Sequence, residues 1–76
     1  MRIEGLISEV LYIDESLIND DSGPESIEVW DSLGHINIIT AIEEDFDIEL
    51  SPEEIIEITT VRDIKKLLTN KQIIFE

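Results

Sequence analysis

From Trp30 to Leu68 the chain reads WDSLGHINIITAIEEDFDIELSPEEIIEITTVRDIKKLL, and the typing of its first half decides the fold. Ile36-Asn37-Ile38 alternates like a strand, and isoleucine favours strands. Leu33, Ile36, Ile39, Ile42 and Phe46, however, recur every three or four residues over a length too great for an ordinary strand, and Glu43, Glu44 and Asp45 continue the run with helix-compatible polarity. The spacing predicts a helix from Ser32 to Phe46. Two start signals follow. In Ser51-Pro52-Glu53-Glu54 the serine caps a backbone N–H, proline suits the first helical position and Glu54 completes a capping box, so a short helix runs through Ile55 and Ile56. Thr60-Val61-Arg62-Asp63 repeats that logic, and Val61, Ile64, Leu67 and Leu68 form the apolar stripe of a last helix. Lys65 and Lys66 are expected toward its C-terminal end, where the helix dipole favours cations.

Working outward, Ile3, Leu6, Ile7, Val10 and Leu11 follow the spacing of one buried helical stripe, which predicts a first helix ending near Ile13. Between Asp14 and Asp31 the cluster Asn19-Asp20-Asp21-Ser22-Gly23-Pro24 favours turns over regular structure. A connection this long needs anchors, and Leu17, Ile18, Ile27, Val29 and Trp30 are the residues able to supply them. The tail Ile73-Ile74-Phe75 either extends the last helix or packs back on the core. The expected fold is all-α: a small bundle of three main helices plus one short helix, occupying residues 1–76 as a single domain.

A chain of 76 residues buries a smaller share of its surface than a large one, which disfavours a deep enzyme cleft. No cysteine is present, so the chain offers neither a disulfide framework nor a thiolate metal site. The stretch MRIEGLISEV lacks the basic start and continuous apolar run of a leader, and no segment approaches the roughly 20 apolar residues of a membrane helix. Membrane insertion is not expected, and the default location is the cytoplasm. Net charge is −14, and no Lys or Arg stands between Ile3 and Val61, whereas of the 19 acids only Asp63 and Glu76 lie outside that stretch. Such a surface repels nucleic acid and attracts basic protein partners. Mutual repulsion among these acids predicts a raised mean carboxyl pKa in the folded state and stability that increases as pH falls from neutral toward the carboxylate range, until capping acids such as Asp31 and Glu54 lose their charge.

Asp31-Ser32 stands where the long loop enters the second helix. A helix start offers unpaired N–H groups and positive potential, so Ser32 there presents its hydroxyl outward and a phosphate on it is electrostatically welcome, while Asp31 accepts from backbone amides. An isolated Asp-Ser-Leu is more simply an ordinary capping pair. His35, one turn on, suggests a miniature Ser32–His35–Asp31 hydrolase site, but such a site needs a base oriented by a third group, an oxyanion hole and a substrate pocket, and WDSLG is not the G-x-S-x-G elbow; a surface histidine is expected instead. The acidic loop fails as an EF-hand: with Gly23 at its sixth position, the first and twelfth would be Ile18 and Val29, neither of which ligates through its side chain. No catalytic residue and no dedicated metal site is assigned.

The blocks in this stretch, with DSL opening the second helix, then AIEEDFDIEL, a Pro-Glu-Glu short helix and ITTV before the last helix, resemble in register the acyl carrier protein family. With the first helix and the long loop the resemblance covers nearly the whole chain. It implies a non-catalytic carrier with 4′-phosphopantetheine, taken from coenzyme A, attached to Ser32, and an acyl or peptidyl intermediate held as a thioester on the arm. It also implies that partners read the second helix, which makes Asp31, Leu33, Ile36, Glu43 and Glu44 candidate contacts, although by hydrophobicity Ile36 belongs to the core and the glutamates to solvent. The partners implied are a phosphopantetheinyl transferase and acyl-loading and acyl-consuming enzymes with basic surfaces, met by a monomeric carrier. Many family members place further carboxylates where Gly34, His35 and Asn37 stand here, which bears on partner identity. An acidic interaction or regulatory domain, with Ser32 only a cap, is the alternative.

Overall fold

The computed structural model describes residues 2–75. In chain order they form α1 (Ile3–Leu11), a 3-10 turn (Glu15–Leu17), α2 (Ser32–Phe46), a short α3 (Pro52–Glu57) and α4 (Val61–Asn70), the all-α bundle expected. The apolar stripe of α1 buries Ile3, Leu6, Ile7 and Leu11. This helix stops at Leu11, short of Ile13, because Tyr12 turns into the left-handed region at φ 58° and donates its N–H to the Ser8 carbonyl, which takes up a carbonyl left free at the helix end.

In α2 the buried meridian runs through Gly34, Ile38 and Ile42, with Ile39 beside it. The expected stripe is thus rotated: Ile39 and Ile42 are core, whereas Leu33 is 70% and Ile36 51% exposed. Ile36 is therefore a surface residue and not the core residue its hydrophobicity suggests. The substitution of Ile38 for Ile36 on the core side explains why the sequence looked strand-like there, since two isoleucines two apart face opposite sides of a helix. The core of α1, α2 and α4 closes over Trp30, 1% exposed, and Ile18. Of the five loop anchors expected, these two are buried and Ile27 packs partly, while Leu17 and Val29 are exposed.

The long loop is held chiefly by its backbone. Its Asp20 and Ser22 carbonyls accept from Arg62 and Val61 N–H, both at 2.9 Å, and so satisfy donors that the start of α4 leaves unpaired. The approach is close enough that a Cβ on Gly23 would lie 2.0 Å from the Thr59 carbonyl oxygen. Lys65, midway along α4, reaches Glu4 of α1 at 2.7 Å and Asp20 of the loop at 2.6 Å; it serves this junction and not the helix dipole, and the last turn of α4 holds no basic residue. Asp20 first and Glu4 second hold the Lys65 ammonium above its ordinary pKa. Burial pushes the Glu4 carboxyl up, but its bonds to Lys65 and the backbone and the nearby Arg2 charge outweigh this and bring it below the usual range.

Both predicted start signals form. Ser51 and Glu54 make the reciprocal capping box of α3, and Thr60 caps α4 through the Asp63 N–H. No residue of α3 is buried, and Ile55 packs only partly against the core. After α4 the chain turns at Gln72, φ 62°, Ile73 N–H returns to the Leu68 carbonyl at 2.9 Å, and Ile73 and Phe75 pack on the core; of the two tail alternatives, packing back is the one adopted. Among the described residues no helix is long and apolar enough to cross a membrane.

Candidate functional site

The start of α2 is fixed from behind. Trp30 is sunk in the core, which places Asp31 as the cap: its Oδ1 accepts the Gly34 N–H at 2.8 Å. Gly34 is buried against the incoming loop, where a Cβ would lie 2.8 Å from the Val29 carbonyl oxygen. Any larger residue would push loop and helix apart, so the glycine that interrupts the expected run of carboxylates has a packing reason. Ser32, the first helical residue, is exposed. Because Asp31 has taken the capping role, the Ser32 hydroxyl has no protein partner among the described residues, and neither do the Ser32 and Leu33 N–H groups.

Beside Ser32 lies an open groove of 680 Å³ between the end of the long loop, α2 and α3, lined by Pro24, Glu28, Trp30, Asp31, Ser32, His35, Ile36, Ile55, Ile56 and Ile58. Its floor is crossed by His35. The Trp30 indole N–H donates to His35 Nδ1 at 3.0 Å, and His35 Nε2 lies 3.0 Å from the Ile55 carbonyl oxygen. Indole is a donor only and the carbonyl an acceptor only, so Nδ1 is bare and Nε2 carries the proton. The rings of Trp30 and His35 lie 6.3 Å apart at 27°. Both ring nitrogens are thus committed away from Ser32, and His35 is a half-buried brace, not the surface histidine expected. His35 is therefore not free to act as the base of a Ser32–His35–Asp31 site.

The candidate contacts divide. Asp31, Leu33 and Ile36 surround Ser32 on the exposed side, and Glu44 is exposed farther along α2. Glu43 is instead half-buried and accepts the Leu50 N–H at 2.8 Å through Oε2, tying α2 to the segment before α3. Sequence reasoning missed the groove-lining pair Ile55 and Ile56, of which Ile56 is 78% exposed; two adjacent isoleucines in a six-residue helix are one more than a single buried stripe can use, and that excess was the available signal. Among the described residues no cluster of His, Asp or Glu is arranged to hold a metal ion.

A helical bundle of this size, with a free serine opening its second helix beside an apolar groove, has the architecture of a carrier domain. The family model described as phosphopantetheine attachment site matches residues 2–68, nearly the whole chain, and the chain belongs to that family, the phosphopantetheine-binding carrier proteins typified by acyl carrier proteins. Domains of this family are not enzymes; they hold 4′-phosphopantetheine covalently and work with phosphopantetheinyl transferases and biosynthetic enzymes.

Proposed function

We propose that Ser32 is the attachment residue and that the chain, a single cytoplasmic carrier domain acting as a monomer, tethers an acyl or related intermediate and presents it to loading and consuming enzymes with basic surfaces. The observation that carries this reading is the division of labour at the start of α2: Asp31 caps the helix, which leaves the Ser32 hydroxyl free and exposed. The surroundings suit a phosphodiester, because the unpaired N–H groups of Ser32 and Leu33 and the positive end of a 15-residue helix favour an anion there. When bound, phosphopantetheine supplies a terminal thiol on which cargo is held as a thioester. The chain's own part is to orient the attachment point, to offer the groove alongside it, and to display Asp31, Leu33, Ile36 and Glu44 to partners, with Glu43 contributing mainly through the Leu50 bond.

Incubation with coenzyme A and a broad-specificity phosphopantetheinyl transferase tests this by intact mass and peptide mapping. One group is expected, on Ser32. The other serines are controls with visible occupations: Ser22 is buried, Ser51 caps α3 and Ser8 donates to the Ile13 carbonyl. Attachment at any of Ser8, Ser16, Ser22, Ser26 or Ser51, or no addition to folded wild-type chain with several transferases, overturns the assignment.

A further inference from the structure

The two ends of the His35 brace differ in how firmly they are held. Trp30 is fully buried and Gly34 and Ile38 fix α2 in the core, so the loop end and the α2 end of the brace have nowhere to go. At the other end, α3 has six residues, none buried. A helix so short is not stable by itself, and its capping box joins only neighbours in sequence. Beyond the partial packing of Ile55, α3 is tied to the rest of the molecule by the Glu54–Lys71 ion pair at 2.9 Å, whose side chains are roughly a quarter exposed, and by the His35 bond to the Ile55 carbonyl. That carbonyl also accepts the Ile58 N–H at 3.4 Å, so the brace grips the last turn of α3 where it hands over to buried Ile58.

We infer that His35 is a positioning residue for the carrier site: the Trp30–His35–Ile55 brace holds α3 as a movable wall of the groove beside Ser32, and so determines how much of the Ser32-linked arm and its cargo the groove admits. The occupant follows from continuity, since Ser32 itself lines the groove and an arm rooted there shares it with Ile36, Ile55 and Ile56; this clause rests on the assignment of Ser32, whereas the mobility of the wall does not. With the brace intact the groove has its observed width. With it broken, α3 loses the bond that reaches farthest into the fold, and Ile55 and Ile56 swing out together.

Amide hydrogen exchange followed by NMR on the unmodified chain tests the wall. His35→Phe keeps ring bulk but offers neither acceptor to the indole nor donor to the carbonyl; His35→Gln offers both on one amide. In His35→Phe, exchange at the Ile55 and Ile58 amides and at the Trp30 indole N–H is expected to rise about tenfold, the worth of two shielded hydrogen bonds, with the amides of α1 and α4 unchanged and His35→Gln returning toward wild type. A uniform rise across α1, α3 and α4, or no rise at α3, overturns the proposal. Should His35→Phe not fold, wild-type exchange alone decides: the Ile55 and Ile58 amides must open more readily than those of α1 and α4, and equal protection refutes a movable wall. None of these readings involves Ser32. On chain carrying the arm, wild type is expected to gain protection at α3 and His35→Phe to gain less; an equal gain in both removes His35 from any role in admitting cargo.

Discussion

Around Lys65 three elements converge on one ammonium, the loop carbonyls cap α4, and Gly23 lies against Thr59 with no room for a methyl group. Around Ser32 the apolar side chains Leu33, Ile36 and Ile56 are exposed, and a six-residue helix with no buried residue is moored by the partial packing of Ile55, one ion pair and one histidine bond. Both regions belong to the same small bundle, yet one is tied by many bonds and the other leaves its apolar side chains uncovered. The difference shows how a domain of this size can leave an apolar face uncovered beside its second helix: the tight junction is made of backbone bonds and charge pairs that do not require a larger core.

Substitutions should sort by region. Gly23→Ala is expected to cost about 3 kcal/mol, because the new Cβ overlaps backbone that cannot rotate away; a urea midpoint within error of wild type would remove Gly23 from the junction. Lys65→Met should cost about 1 kcal/mol, a fall in Tm of roughly 4–8 °C, since these charges remain partly hydrated. Acid probes the paired carboxylates of both regions. The Lys65 bond holds Asp20 low, the Ser51 N–H holds Glu54 low with help from Lys71, and the Thr59 hydroxyl and N–H hold Asp63 low; the Ser16 N–H does likewise for Asp14, and Glu4 also ends below its ordinary value. A carboxylate lowered on folding stabilises the fold above its unfolded pKa and loses that contribution as pH falls through its folded value. Tm should therefore fall below about pH 4.5, and the gap between wild type and Lys65→Met should narrow as Glu4 and Asp20 protonate. A Tm that rises throughout that window would mean that repulsion among the acids outweighs these bonds even there; the stabilisation expected from that repulsion between neutral pH and the carboxylate range is read separately, from melts between pH 7 and about pH 5.5.

At the Ser32 face the effects on stability should be smaller. Asp31→Ala removes the cap of α2 at about 1 kcal/mol, read from thermal melts. Ser32→Ala and Leu33→Ser should each stay within about 0.5 kcal/mol of wild type, while the first abolishes loading and the second slows it. Glu44→Lys should likewise leave Tm unchanged but lower the association rate with a basic partner at low salt, an effect that shrinks at physiological ionic strength, where screening acts over about 8 Å. If Glu43→Lys loses stability and Glu44→Lys does not, the bond from Glu43 to Leu50 accounts for the difference; equal melting temperatures would contradict it.

Much of this was legible in the sequence because it is local. The capping box at Ser51, the Thr60 cap, the stripe of α1 and the exposed Ser32 each depend on residues within about one turn. What escaped depends on residues distant in sequence. Lys65 reads as a dipole partner until Glu4 and Asp20 are seen to meet it, and His35 reads as a surface residue until α3 folds over it. Gly34 looks like a missing carboxylate until the Val29 carbonyl is placed beside it. Ile36 and Ile38 each fit a helical stripe with Ile39 and Ile42, and only the position of α1 chooses between them.

The hydrogen bonds from Arg62 and Val61 to the loop also set an order of events during synthesis. Asp21 and Arg62 are 41 residues apart, so at ribosomal rates the loop waits roughly 2 to 8 s for the segment that closes it. Until then Trp30 has no finished core to enter and Ser32 no settled helix to open. A nascent chain that has passed Ser32 but not Arg62 therefore displays Asp31-Ser32-Leu33 without its folded geometry, and, on the proposed assignment of Ser32, a transferase that recognises shape would meet its substrate only once α4 has emerged.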